Sequence, residues 1–292
     1  MIPKEVLKDI RRIQITTARM VSDVFAGQYQ SVFKGKGMEF DEVREYLPGD
    51  EIRSIDWNVT ARMGHPYVKK FVEERELTVM LLLDMSASSY FGSVRQLKVH
   101  CAAQICSVLA LSAVRNNDKV GFLGFTDSIE KFIPPRKGVR HVLRVVREAL
   151  YFKAAGTRTD IAAALEYLNR VVRRRSVVFL ISDFYSPDFK KVLRVANKRH
   201  DIVAITITDP RELALPPVGM IRLIDPETNE SFVVDTSDKR VRDDFAQDAR
   251  GRLTERQSLF TSAHVDTIDV RTDVPYASSL IRFFRQRERR RL

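Results

Sequence analysis

The chain has 292 residues, 44% hydrophobic and 30% charged, enough for one large domain, or one domain with an appendage, around a sizeable core. No apolar stretch approaches the ~20 residues a membrane helix needs, and the charged, amphipathic start (residues 1–12) does not read as a secretory leader. The net charge of +11 leaves an acidic partner or nucleic acid open, yet six arginines fall in the last eleven residues and no reader motif accompanies them or Arg173-Arg174-Arg175.

In chain order, Val6, Leu7, Ile10, Ile13, Ile15, Ala18, Val21 and Val24 follow helical spacing in large part, so residues 4–26 predict an amphipathic helix that Gly27 stops. From Gly35 to Phe71, arginines, aspartates and aromatics alternate densely. Gly35-Lys36-Gly37 is no phosphate loop, because the Gly-Lys-Ser/Thr ending is missing. Pro48-Gly49-Asp50 marks a tight turn. The stretch reads as short strands and turns held by charged pairs, with the sole tryptophan, Trp57, as anchor. Residues 77–83 are almost continuously apolar and end in polar residues, the mark of a strand buried on both faces. Residues 94–115 predict a long helix with Leu97, Cys101, Ile105, Val108 and Leu109 on one stripe. Residues 120–125 read as a second buried strand, and 129–133, closed by Pro134-Pro135, as a short edge strand.

Helices follow over 139–150 and 161–172, with a buried strand over 176–181. A basic helix over 188–199 precedes the strand Asp201–Thr208. Met220–Ile224 and Ser231–Asp235 read as a hairpin around Asp225-Pro226-Glu227. A helix over 237–263, a last strand over 265–270 and a last helix over 276–284 complete the pattern. Residues 285–292 carry almost no apolar surface and read as a tail dispensable for folding. Alternating strands and helices predict an α/β fold with a doubly wound, mostly parallel sheet. The expected domains are residues 1–76, a helix with a β-rich appendage, and residues 77–292, the main domain.

Asp84, Ser86 and Ser88 stand at alternate positions where the first buried strand should turn toward a helix. That puts three hard oxygen donors at the C-terminal edge of a parallel sheet, where open α/β sheets bind ligands. A carboxylate beside small hydroxyls suits a hard divalent cation, magnesium first, then manganese or calcium. The spacing Asp84-x-Ser86-x-Ser88 resembles the metal-ion-dependent adhesion site of von Willebrand factor A domains. Gly156-Thr157-Arg158-Thr159 resembles the second loop of those domains, which implies Thr157 as a ligand; helix capping is the other reading of both threonines. Asp183, after Ser182, corresponds to the last carboxylate, although Phe184 stands where the pattern usually has glycine.

Upstream, Gly37-x-Glu39-Phe40, Arg44-x-Tyr46, Gly49-Asp50, Arg53-x-Ile55-Asp56-Trp57 and Ala61-Arg62 resemble the bacterial "domain of unknown function 58" family. The match runs over roughly residues 30–185. The resemblance implies a von Willebrand A-like domain fused behind the N-terminal module, and a gene setting beside MoxR-type AAA+ ATPases.

Two carboxylates and three hydroxyls nearly neutralise a divalent ion and leave an octahedral position open to a partner's carboxylate. A phosphatase of the haloacid dehalogenase type would want a second Asp where Ser86 stands. The five histidines, at 65, 100, 141, 200 and 264, show neither zinc spacing nor a triad context. The expected function is therefore a metal-dependent protein-interaction adaptor, not an enzyme, whose partner by resemblance is a MoxR-type AAA+ ATPase. A metal-dependent hydrolase and a basic nucleic-acid binder are the alternatives. Cys101 and Cys106, five apart on one expected helix, cannot easily bridge and point to a reducing, cytoplasmic setting.

Overall fold

The computed structural model describes residues 39–72, 76–186 and 188–290. The helix expected over 4–26 lies outside them. The chain divides between Leu77 and Thr78 into two compact units.

In the first unit, β1 (Glu39–Glu45) leads to α1 (Trp57–Met63) and then β2 (Tyr67–Val72), which pairs antiparallel with β1. Charged pairs hold it, as expected. The Arg44 guanidinium grips both carboxylate oxygens of Asp50, at 2.7 and 2.8 Å, and Lys69 lies 3.3 Å from Asp56. Helix α1 was not expected, although its signals are present. Asp56 accepts the N–H groups of Asn58 and Val59 as N-cap, and Gly64 ends the helix at φ +76°. Trp57 does not anchor the unit: it starts α1 facing solvent, 67% exposed.

The second unit begins with β3 (Thr78–Asp84), α2 (Lys98–Arg115), β4 (Lys119–Phe125) and β5 (Ile129–Arg136). Next come α3 (Val139–Tyr151), α4 (Ile161–Val171), β6 (Val177–Ser182), α5 (Lys190–Arg199) and β7 (Asp201–Thr208). The hairpin β8 (Met220–Ile224) and β9 (Ser231–Asp235) precedes α6 (Lys239–Ala263), β10 (Asp266–Arg271) and α7 (Tyr276–Arg289).

One six-stranded sheet, ordered β10-β7-β6-β3-β4-β5, organises this unit. All neighbours are parallel except β5, which returns antiparallel along β4 at the edge. The doubly wound, mostly parallel α/β fold is the one expected. An edge position explains why β5 runs on through Pro134 and Pro135, since their missing N–H groups need no partner strand.

Strand β3 lies at the centre and is buried at every residue after Thr78. On one face Met80 and Leu82 join Val178, Leu180, Leu165, Leu168, Leu193 and Phe260 in a continuous apolar core. The other apolar residues of the strand, Val79, Leu81 and Leu83, are buried on the opposite face. Burial from both sides is why this strand reads as an unbroken apolar run. From β3 the chain winds outward to β4, whereas from β6 it winds the other way to β7 and β10. The switch point therefore lies between the C-terminal ends of β3 and β6.

The tail expectation is corrected at α7, which continues past Phe284 to Arg289. Arg287 is 8% exposed and pairs with Asp201 at 2.5 Å and Asp266 at 3.3 Å, the first residues of β7 and β10. It fastens the last helix to the N-terminal edge of the sheet. Arg287→Ala should cost about 2 kcal/mol, less than a fully buried pair because both aspartates are partly exposed. A melting temperature lower by about 5 °C is expected; an unchanged one would return residues 285–292 to the role of a dispensable tail.

Candidate metal centre

Strands β3 and β6 are neighbours and parallel, so Asp84 and the pair Ser182-Asp183 emerge side by side at the switch point. Asp84 and Asp183 are both buried. After β3 the chain turns on its own carboxylate: Asp84 Oδ1 accepts the Ser86 N–H at 3.0 Å. The Ser86 and Ser88 hydroxyl oxygens lie 3.1 Å apart. Across the strand gap, the Ser182 hydroxyl donates to Asp84 Oδ2 at 2.5 Å and its oxygen accepts the Phe184 N–H at 2.9 Å. The structure thus gathers Asp84, Ser86, Ser88 and Asp183.

Thr157 joins them through its backbone. Its carbonyl accepts the Ala87 N–H at 2.8 Å, while its side chain is exposed. Glu130 on β5 holds this loop by accepting the N–H groups of Gly156 at 2.8 Å and Ala155 at 3.1 Å, which keeps its carboxyl below the usual glutamate range. Only glycine fits at 156, because a Cβ there would lie 2.3 Å from Thr126 Oγ1. Neither threonine caps the following helix: Asp160 does, accepting the Ala163 N–H. Thr159 instead donates to Glu227 Oε1 at 2.9 Å.

Phe184 adopts φ +64°, the left-handed conformation that glycine favours. For a bulky residue this costs roughly 1–2 kcal/mol. Its buried ring meets Phe260 edge-on at 4.9 Å and lies near Phe189, burial that offsets the strain. The loop keeps a glycine-like backbone without the glycine.

A buried ammonium is the feature the sequence does not announce. Lys98, in the first turn of α2, is 2% exposed and donates to Asp183 Oδ2 at 2.7 Å and Glu212 Oε1 at 2.5 Å. Burial works to lower its pKa, but the charges of Asp183 and Glu212 prevail and raise it above the usual lysine range. Glu212 is itself set by the turn after β7, where its other oxygen accepts the Asp209 N–H at 2.8 Å. The Arg256 guanidinium donates to the Asp183 carbonyl at 2.9 Å. Burial first, and then the charge of Asp183, push the Asp84 carboxyl up to about 6.

The donor set suits a hard divalent cation, since it is all oxygen. Among the described residues no three His, Cys, Asp or Glu side chains cluster to hold a metal, so any ion here would need the hydroxyls. No bond joins Ser86 or Ser88 to a histidine among the described residues; His141 instead bonds the Val120 carbonyl at 2.8 Å.

The family described as "Protein of unknown function DUF58" matches residues 42–255. The chain belongs to that family. An uncharacterized protein of Mycobacterium tuberculosis is 32% identical over 285 residues, covering 96% of this chain and 89% of its own length. Among solved structures, an aerotolerance-related membrane protein from Bacteroides fragilis aligns with a TM-score of 0.45 and 15% identity, over 73% of this chain and 99% of that one. The SpRpn10 VWA domain aligns at 0.39 and 12%, over 70% and 94%. Among the described residues no helix is long and apolar enough to cross a membrane.

Proposed function

We propose that this member of the DUF58 family is a metal-dependent protein-interaction adaptor and not an enzyme. The observation that carries the reading is the buried pair Asp84 and Asp183 at the switch point, with the Ser86 and Ser88 hydroxyls beside it. Asp84, Ser86, Ser88, Thr157 and Asp183 are the residues that would hold the ion. A bound divalent cation, magnesium first, would supply an exchangeable position for a partner's Asp or Glu. Ser182 and the Ser86 N–H fix the Asp84 carboxylate, and Lys98 fixes one oxygen of Asp183. Against the hydrolase alternative, neither serine hydroxyl bonds a histidine base among the described residues. The partner we infer from the family resemblance is a MoxR-type AAA+ ATPase. A cytoplasmic setting accords with two free, buried cysteines.

Lys98 favours a second reading, in which this fixed ammonium takes the place of the metal and the adaptor binds without one. Calorimetric titration with magnesium, and binding to the neighbouring ATPase with and without chelator, separate the two. Under the first reading Asp84→Ala abolishes both bindings, Asp183→Ala weakens both, and Ser86→Ala or Thr157→Ala weakens them less. Full partner binding by folded Asp84→Ala in chelator would leave the second reading standing.

A further inference from the structure

The N-terminal edge of the sheet, opposite the candidate metal centre, is cationic. A parallel sheet lines up the starts of its strands, and here Val177 of β6 stands beside Asp201 of β7. Just before β6 come the exposed Arg173, Arg174 and Arg175; just before β7, at the end of α5, come the exposed Lys198 and Arg199. Arg199 ties the two connections together, because its guanidinium donates to the carbonyls of Asn169 at 2.7 Å and Arg173 at 3.1 Å. Helix α7 ends at the same edge, where Arg287 meets Asp201 and Asp266, and Arg290 lies 3.4 Å from Asp266. The carboxylates of Asp201 and Asp266 are therefore occupied, and Asp118, before β4, is buried. Among the described residues no carboxylate pairs with the side chains of Arg173, Arg174, Arg175, Lys198 or Arg289.

What this edge lacks narrows its counterpart. Protein interfaces centre on aromatic and aliphatic anchors, and single-stranded nucleic acid stacks on aromatic rings. Over residues 169–177, 195–203 and 285–290 the exposed apolar side chains are Val171 and Val195, and no aromatic ring is exposed. Duplex DNA is read by a helix or ribbon laid into a groove, whereas α4, α5 and α7 present their ends here. A level array of cations suits a flat anionic surface. Most of these cations are arginines, whose planar fork matches phosphate oxygens.

We propose that this N-terminal edge, Arg173 to Arg175 with Lys198 and Arg289, docks on the anionic headgroups of a lipid bilayer. The cytoplasmic leaflet carries such headgroups and attracts lysine and arginine held close to it. Docked this way, the protein holds Asp84 and Asp183, at the other ends of β3 and β6, away from the membrane and open to a protein partner. The inference stands whether or not that centre holds a metal.

The test is co-sedimentation of the full chain with vesicles of phosphatidylcholine, with and without phosphatidylserine, in chelator throughout. The parent should bind the vesicles that contain phosphatidylserine and not the others, and binding should fall as salt is raised. Each cation removed should weaken binding about fivefold. The triple substitution Arg173→Ala, Arg174→Ala and Arg175→Ala should therefore bind about a hundredfold more weakly, and the double substitution Lys198→Ala and Arg289→Ala about twenty-fivefold. These side chains are exposed, so the melting temperatures should stay at the parent's. A control, Lys239→Ala with Arg250→Ala and Arg252→Ala, removes the same charge as the triple substitution from exposed positions of α6. Those positions precede Arg256, which bonds the Asp183 carbonyl at the opposite edge. The control should bind like the parent. No binding of the parent to phosphatidylserine vesicles, a loss in the control as large as in the triple variant, or parent-like binding by either edge variant would overturn the proposal. Tighter binding of the parent to duplex DNA than to these vesicles at equal salt, lost in the same variants, would overturn it in favour of a nucleic-acid surface.

Discussion

Replacing Asp84 by Asn is expected to stabilise the metal-free chain and to abolish its response to magnesium. Burial and the charge of Asp183 raise the Asp84 carboxyl to about 6, against about 4 in an unfolded chain. A raised folded-state value means that the native state holds the proton more tightly. The contribution of this group is therefore complete below about pH 4 and is lost as pH rises through about 6. At pH 7 the ionised carboxylate then destabilises the fold by on the order of 3 kcal/mol. Asparagine keeps the size and removes the charge, and weakens the bond from Ser182, worth about 1 kcal/mol. The net gain is about 2 kcal/mol, or a melting temperature about 5 °C higher in chelator. Lowering the pH from 7 toward 5 should close the gap between parent and variant, because the parent then takes up its proton. Magnesium should raise the parent and leave Asp84→Asn where it was. A variant that melts below the parent at pH 7 in chelator would show that the carboxylate is no electrostatic burden.

What was readable in the sequence follows from how local each signal is. Strand β3 announces itself because a strand buried on both faces must be apolar at every position. Asp84, Ser86 and Ser88 announce themselves because turn geometry forces the donors into a short spacing. Helix α1 was hidden although its cap residues Asp56 and Gly64 were in view, because the alternating charges around it drew a strand reading. Arg287 looked like part of a solvated run because its partners, Asp201 and Asp266, are remote in sequence. The same remoteness hid Lys98: a lysine in a first helical turn is ordinary, and only the folded chain brings Asp183 and Glu212 to it. Asp225-Pro226-Glu227 marks a turn in the sequence; that the turn reaches Thr159 is a fact of tertiary structure.

Lys98→Met should be the most damaging single change at the centre, and magnesium should repair part of the damage. The substitution keeps the apolar stem and removes the ammonium, leaving Asp183 and Glu212 without the cation that neutralises them. Breaking a buried pair in this way costs about 3–5 kcal/mol, which lowers the melting temperature by about 10 °C. Adding Glu212→Gln should recover part of the loss, since it withdraws one of the two stranded charges. The response to magnesium then distinguishes the metal-dependent adaptor from one that runs on its own ammonium. Lys98 lies 2.7 Å from Asp183 and so repels any second cation that approaches this carboxylate. With it gone, a divalent ion meets a more negative site, binds more tightly, and supplies the charge that was lost. The magnesium-induced rise in melting temperature should therefore be larger in Lys98→Met than in the parent, and calorimetry should show tighter binding. If the variant is as insensitive to magnesium as to chelator, the cation that the carboxylates of Asp84 and Asp183 were built around is the lysine itself.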